Sequence, residues 1–145
     1  MILSGLYNLL INDPAIGDLI VEDGVHFTLL SKDIPLLPAI VIRRIHAQSP
    51  TTLDGAPALT DALFEFDAYA NDQLTADKVM SAMQDLLEDF DGTLNTVDAG
   101  GNIVGTTDVH VYQVATRDLT YQAGGTTGWL FRSVLDVNMF FTESS

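Results

Sequence analysis

Two carboxylates separated by a single residue stand in Asp89-Phe90-Asp91-Gly92-Thr93-Leu94. Paired carboxylates are the residue type that nucleophilic and general acid–base chemistry uses. Other candidate strings are poorer. Gly100-Gly101-Asn102-Ile103-Val104-Gly105 has the glycines of a phosphate loop but no Gly-Lys-Ser/Thr to follow them. Counted from Asp89, a calcium-binding loop needs glycine where Leu94 stands. His26, His46 and His110 fall on separate predicted strands, without Asp or Glu at ligand spacing, and read as strand residues. There is no cysteine, hence no thiolate zinc site and no disulfide framework. No serine lies in a G-x-S-x-G elbow.

The carboxylate string resembles the D-x-D-G-T-L signature of the haloacid-dehalogenase phosphatases. That resemblance implies Asp89 as the nucleophile on phosphorus, Asp91 as general acid/base, and a magnesium ion beside them. The signature belongs at the end of a buried parallel strand. Here the residues before it, Val79 to Glu88, have helical periodicity and carry Gln84, Asp85 and Glu88. Both lysines, Lys32 and Lys78, precede the string, so none follows to balance phosphate charge. The stretch after it is too short for the remaining α/β units, each of roughly 30 residues. The string therefore reads as a helix end followed by a turn. No catalytic residue, cofactor or metal is assigned, and the expectation is a protein that is not an enzyme.

The elements around it follow from periodicity. Ile2, Leu6, Leu9 and Leu10 recur at helical spacing, widened by Leu3 and Tyr7. Asp13-Pro14 ends that helix, because the residue before proline avoids the α region. Pro14 suits the first position of a short helical turn to Leu19. Val25 to Leu29 reads as a short strand, Ser31 to Leu37 as a loop, and Pro38 to Gln48 as a strand. Gln48 to Pro57, with two prolines and an Asp-Gly, is a connection. From Leu59 to Ala70 the text alternates, placing Phe64, Phe66 and Ala68 on one face and Glu65, Asp67 and Tyr69 on the other. An amphipathic helix runs from Leu74 to Phe90, with Leu74, Val79, Met83, Leu86, Leu87 and Phe90 on its apolar face. Asp72 or Thr75 caps its start and Gly92 helps to end it. Glu88, Asp89 and Asp91 crowd its C-terminal end, where the helix dipole prefers cations.

Asp98 to Asp108 reads as a turn or small hairpin. Val109 to Thr116 is a strand that extends toward Tyr121, and Gly124 to Gly128 is a turn. Trp129 to Phe141 is the clearest strand, with Trp129, Phe131, Leu135, Val137, Met139 and Phe141 facing one way and Arg132, Asp136 and Asn138 the other. The sum is an α+β fold, an antiparallel sheet with two α-helices packed on one face, as a single domain over residues 1–145. Arg43, Arg44 and Arg132 would then stand among Glu65, Asp67 and Asp136 on an outer, solvated face. Exposed pairs of this kind contribute roughly 0.2–1 kcal/mol each.

Composition narrows the function classes. The chain of 145 residues is 47% hydrophobic and 18% charged, which is globular rather than disordered. Six basic residues stand against 20 acidic ones, for a net charge of -14. Sequence-independent phosphate binding needs clustered Lys and Arg, so nucleic-acid binding is not expected. Tyr69, Tyr112, Tyr121 and Trp129 are interleaved with acids rather than bases, which also argues against a single-strand platform. The longest apolar stretch, near Leu36 to Ile42, is far below the roughly 20 residues of a membrane helix. The N-terminus has no basic n-region or small-residue cleavage site, so no secretory signal is expected.

The order of these segments resembles the tail-completion proteins of long-tailed phages, also called tail terminators or head-to-tail joining proteins. The likeness is carried by Met1-Ile2-Leu3-Ser4-Gly5-Leu6-Tyr7, the strand from Pro38 to Ile45, the turn Pro50 to Gly55, Phe64-Glu65-Phe66-Asp67-Ala68-Tyr69 with its following helix, and Arg132 to Phe141. It implies a structural protein that caps the head-proximal end of the tail tube as a ring, usually of six subunits. Such a ring ends tail elongation and joins the tail to the head connector. The implied partners are further copies of the chain, the tail tube protein and the connector or stopper protein. DNA would pass through the lumen without specific binding, no membrane is involved, and the location is the virion, after assembly in the host cytoplasm. Expected interface residues are Arg43, Arg44, Glu65, Asp67, Arg132 and Asp136 on the sheet, with Glu88, Asp89 and Asp91 at the acidic helix end. Another neck or tail-tube protein is the alternative, and the magnesium-dependent phosphatase is a distant third.

Overall fold

The computed structural model describes residues 2–21, 24–27, 37–48, 59–122 and 129–144. The loops expected over Ser31–Leu37 and Gln48–Pro57 fall largely outside the described residues, and the turn at Gly124–Gly128 wholly so. The side chain of Trp129 lies outside them too.

Three helices and six strands appear among the described residues: α1 (Ile2–Asn12), α2 (Pro14–Gly17), β1 (Val25–Phe27), β2 (Ala39–Gln48), β3 (Thr60–Ala70), α3 (Gln73–Leu87), β4 (Asp91–Val97), β5 (Ile103–Gln122) and β6 (Trp129–Ser144). The strands form one sheet in the order β1-β2-β3-β6-β5-β4. The expected sheet was purely antiparallel, whereas the observed one is mixed. β1 runs parallel to β2, with Val25 opposite Ile40 and Phe27 opposite Ile42. A three-residue strand has too little alternation to announce its direction. Its placement rests on tertiary contacts such as Ile40 N–H to Gly24 O at 2.7 Å.

The expected helices form, with a third short one between them. Asp13 Oδ2 accepts the Ile16 N–H and Pro14 takes the first turn of α2. At α3 the cap is Asp72, which accepts Thr75 N–H at 2.8 Å and the Thr75 hydroxyl at 2.9 Å. Those two bonds favour the charged form and hold the Asp72 carboxyl below its ordinary range.

Three expectations about α3 need correction. The helix stops at Leu87 rather than Phe90. The left-handed residue there is Asp89, with φ 59, and not Gly92. Aspartate tolerates this conformation because its short polar side chain bonds locally. Gly92 instead lies inside β4, a strand that a sequence of mostly polar residues did not suggest. Leu74 is the third correction. It is 65% exposed, and Ala76 takes the buried position in the first turn.

One core fills the space between the helices and the sheet. Leu6 and Leu10 of α1, Ile16 of α2, and Val79, Met83 and Leu87 of α3 meet Ile40, Ile42, Phe64, Phe66, Leu135, Val137 and Met139. Full burial of such side chains is worth about 1.5–3 kcal/mol each. α1 lies against β4 at Gly5, where an added Cβ would come within 2.8 Å of Leu94 Cβ. Glycine is therefore what allows this helix to reach the edge strand.

Candidate functional site

The strand period of two sends every second residue of β3 and β6 away from the helices. On β3 these are Asp61, Leu63, Glu65, Asp67 and Tyr69; on β6 they include Arg132, Val134, Asp136, Asn138 and Phe140. Register then places Arg43 of β2 opposite Glu65, and Glu65 opposite Asp136. Arg117 of β5 sits opposite Val134, two register positions along from Asp136.

These charges were expected on a solvated face. Instead Asp67 is fully buried and Glu65 is 8% exposed. Arg43 and Arg132 both converge on Asp67 Oδ2, the latter through Nε at 3.0 Å and Nη2 at 2.7 Å. Arg132 also binds Glu65 and lies over the Tyr69 ring at 5.8 Å. Arg43 reaches Glu65 at 3.4 Å. The reason is that protein groups replace water around Asp67: the guanidinium groups of Arg43 and Arg132 and the Tyr69 hydroxyl, at 3.4 Å, all meet its Oδ2.

Desolvation raises the Glu65 carboxyl above its ordinary range, aided by its hydrogen bond to Asp67 and by that residue's charge. Arg43 and Arg132 pull it the other way.

Two residues that sequence reasoning left out complete this face. Arg117 grips Asp136 through two parallel bonds, Nε at 2.9 Å and Nη2 at 3.1 Å, and approaches Glu65 at 3.8 Å. Tyr112 occupies the irregular step of β5 between Val111 and Gln113. Its ring stacks on Phe140 with centroids 4.6 Å apart, and its hydroxyl donates to Asp61 at 2.7 Å. The rarity of basic residues was the available signal for Arg117. Tyr112 had none, because a bulge cannot be read from alternation.

Arg44 does not join the network. It sits opposite Phe64, on the helix side of β2, and is exposed with no ion-pair partner among the described residues. Glu88, Asp89 and Asp91 form a separate exposed corner between α3 and β4. Asp91 lies 3.8 Å from His110 Nδ1 across the β4–β5 pair.

The Asp89/Asp91 string lies at a helix end, as expected, with β4 beginning at Asp91. The two residues straddle a helix end and the start of an antiparallel edge strand, not the exit of a buried parallel strand. Asp91 is largely solvated, its side chain 77% exposed. His26, His46 and His110 are distributed over β1, β2 and β5. Among the described residues no three His, Asp or Glu side chains are grouped to hold a metal ion. Nor is any described helix long and apolar enough to cross a membrane.

No protein-family model matches the sequence, and no curated protein does. The fold has a counterpart among solved structures. A chain in the structure described as "Virion of native gene transfer agent (GTA) particle" aligns with a TM-score of 0.50 at 15% identity. The alignment covers 96% of this chain and 92% of that one, so what the two share is a whole-chain fold.

Proposed function

We propose that this chain is a structural protein of a phage-type virion, and that it caps the head-proximal end of a tail tube as a ring of six copies. The observation that carries the proposal is the whole-chain likeness to a chain of a virion particle, at 96% coverage of this chain. The order of segments that resembles tail-completion proteins supports the finer assignment. In this role the ring ends tube growth and offers its other side to the head connector. Its partners are the tube protein, the connector and further copies of itself. A net charge of -14 per copy suits the role, since an acidic bore repels DNA phosphates and lets the genome slide.

Negative-stain electron microscopy of the purified protein, alone and mixed with tail tubes, tests the proposal. Discrete rings with a central hole, or a single cap at one end of each tube, are expected. Long polymers of the protein alone would make it a tube subunit. Tubes that stay uncapped and a protein that forms no ring would overturn the reading.

A further inference from the structure

Strand order separates two kinds of surface. β2 lies near one edge of the sheet and β4 forms the other edge, with β3, β6 and β5 between them. Among the described residues β1 pairs with Ile40, Val41 and Ile42. Beyond them, the outer side of β2 from Arg43 to Gln48 has no strand partner among the described residues. An irregularity between Arg44 and His46 falls in this stretch and leaves Ile45 51% exposed. Leu59, which leads into the adjoining end of β3, is 49% exposed. This end therefore carries Arg44, which has no ion-pair partner among the described residues, beside two exposed apolar side chains.

The opposite edge carries the reverse charge. Glu88 caps α3, Asp89 follows it, and Asp91 opens β4, all three exposed. A helix C-terminus disfavours carboxylates, and neither Glu88 nor Asp89 has a cation partner among the described residues. In a chain with only six basic residues, most of the sheet's arginines are consumed internally: Arg43, Arg117 and Arg132 pair with Glu65, Asp67 and Asp136. Arg44 is left over at one edge, and the acidic corner at the other.

The geometry points to a head-to-tail contact in which the Arg44–Ile45 end of β2 docks on the Glu88–Asp89–Asp91 corner of a second copy of this chain. Two different patches on opposite edges of one molecule make a heterologous interface, which closes into a ring when the rotation allows and otherwise runs on as a filament. Opposite charges set partner and register, while Ile45 and Leu59 supply apolar area. The inference rests on the ring reading above and adds to it which surfaces meet.

Charge exchange tests it. Arg44→Glu and Glu88→Arg alter exposed side chains, so circular dichroism should show both variants folded. The assembled fraction is read by mass photometry and sedimentation over a concentration series. Each single reversal should weaken self-association at least tenfold, and the double variant should recover most of it. Raising salt should weaken the wild type more than either single variant. Equal assembly of wild type and single variants would overturn the docking contact while leaving the ring itself standing. A wild type that stays monomeric alone would also overturn it, since the contact is one the chain makes with itself. Capping of tail tubes would then judge the ring reading separately.

Discussion

Glu65 and Asp136 face each other directly across β3 and β6, two carboxylates in register. Like charges so placed destabilise a strand pair unless cations bridge them. Arg117 bridges these two, holding Asp136 at 2.9 Å and approaching Glu65 at 3.8 Å. Arg132 binds the other carboxylate oxygen of Glu65, Oε1. The network therefore spans four adjacent strands, β2, β3, β6 and β5, and its balance of three guanidinium groups with three carboxylates is what makes burial tolerable.

Removing one member of a buried pair leaves the others uncompensated. Asp67→Ala should cost about 3–5 kcal/mol, because two arginines lose their shared acceptor. Arg117→Ala, at the solvated rim, should cost no more than about 1 kcal/mol. Urea unfolding of both variants checks the contrast, and equal losses would mean the network is not graded by burial.

Glu65 and Asp72 should give opposite pH dependences. The Glu65 carboxyl is raised in the fold, chiefly by desolvation. Its contribution is complete below the unfolded-state value and is lost as pH rises through the folded one. The Asp72 carboxyl is lowered by its bonds from Thr75, so its contribution is present above the unfolded value and lost as pH falls through the folded one. Glu65→Gln should remove a decline on the rising side, and Asp72→Asn, which keeps the cap acceptor, a decline on the acid side. Denaturant midpoints from acid to neutral pH would reveal both slopes.

Helix faces can be tested by truncation. Met83 is fully buried, and Met83→Ala should destabilise by about 2–5 kcal/mol. Leu74 is 65% exposed, and Leu74→Ala should stay within about 0.5 kcal/mol. Thermal melts of the pair would expose an error in the rotation of α3 about its axis.

Gly5→Ala should cost about 1–3 kcal/mol, since the added carbon meets Leu94 Cβ at 2.8 Å. That atom is fixed by the β4 backbone, so Leu94→Ala should not rescue the variant. Rescue by that second change would show that the flexible end of leucine, not the backbone spacing, sets the limit.

Local chemistry in the sequence was enough to determine α1, the Asp13-Pro14 break, and strands β2, β3 and β6, and it narrowed the α3 cap to Asp72 or Thr75. Each of these carries a strong period or a residue whose backbone preference is decisive. The alternation of Glu65, Asp67 and Tyr69 against Phe64, Phe66 and Ala68 was likewise legible, but not the burial of its charged side. Burial of Asp67 depends on Arg43 and Arg132 arriving from two other strands, 24 and 65 residues away. β4 and the direction of β1 were decided by tertiary structure, because each is short and one is mostly polar, so pairing and packing rather than propensity select them. The same holds for the Asp89/Asp91 string. Its spelling belongs to the sequence, but its chemistry depends on the strand that would carry it, and the fold places it between a helix end and an antiparallel edge. The opposite placement of Arg44 and the acidic corner is also a product of strand order, which charge counting along the chain does not reveal.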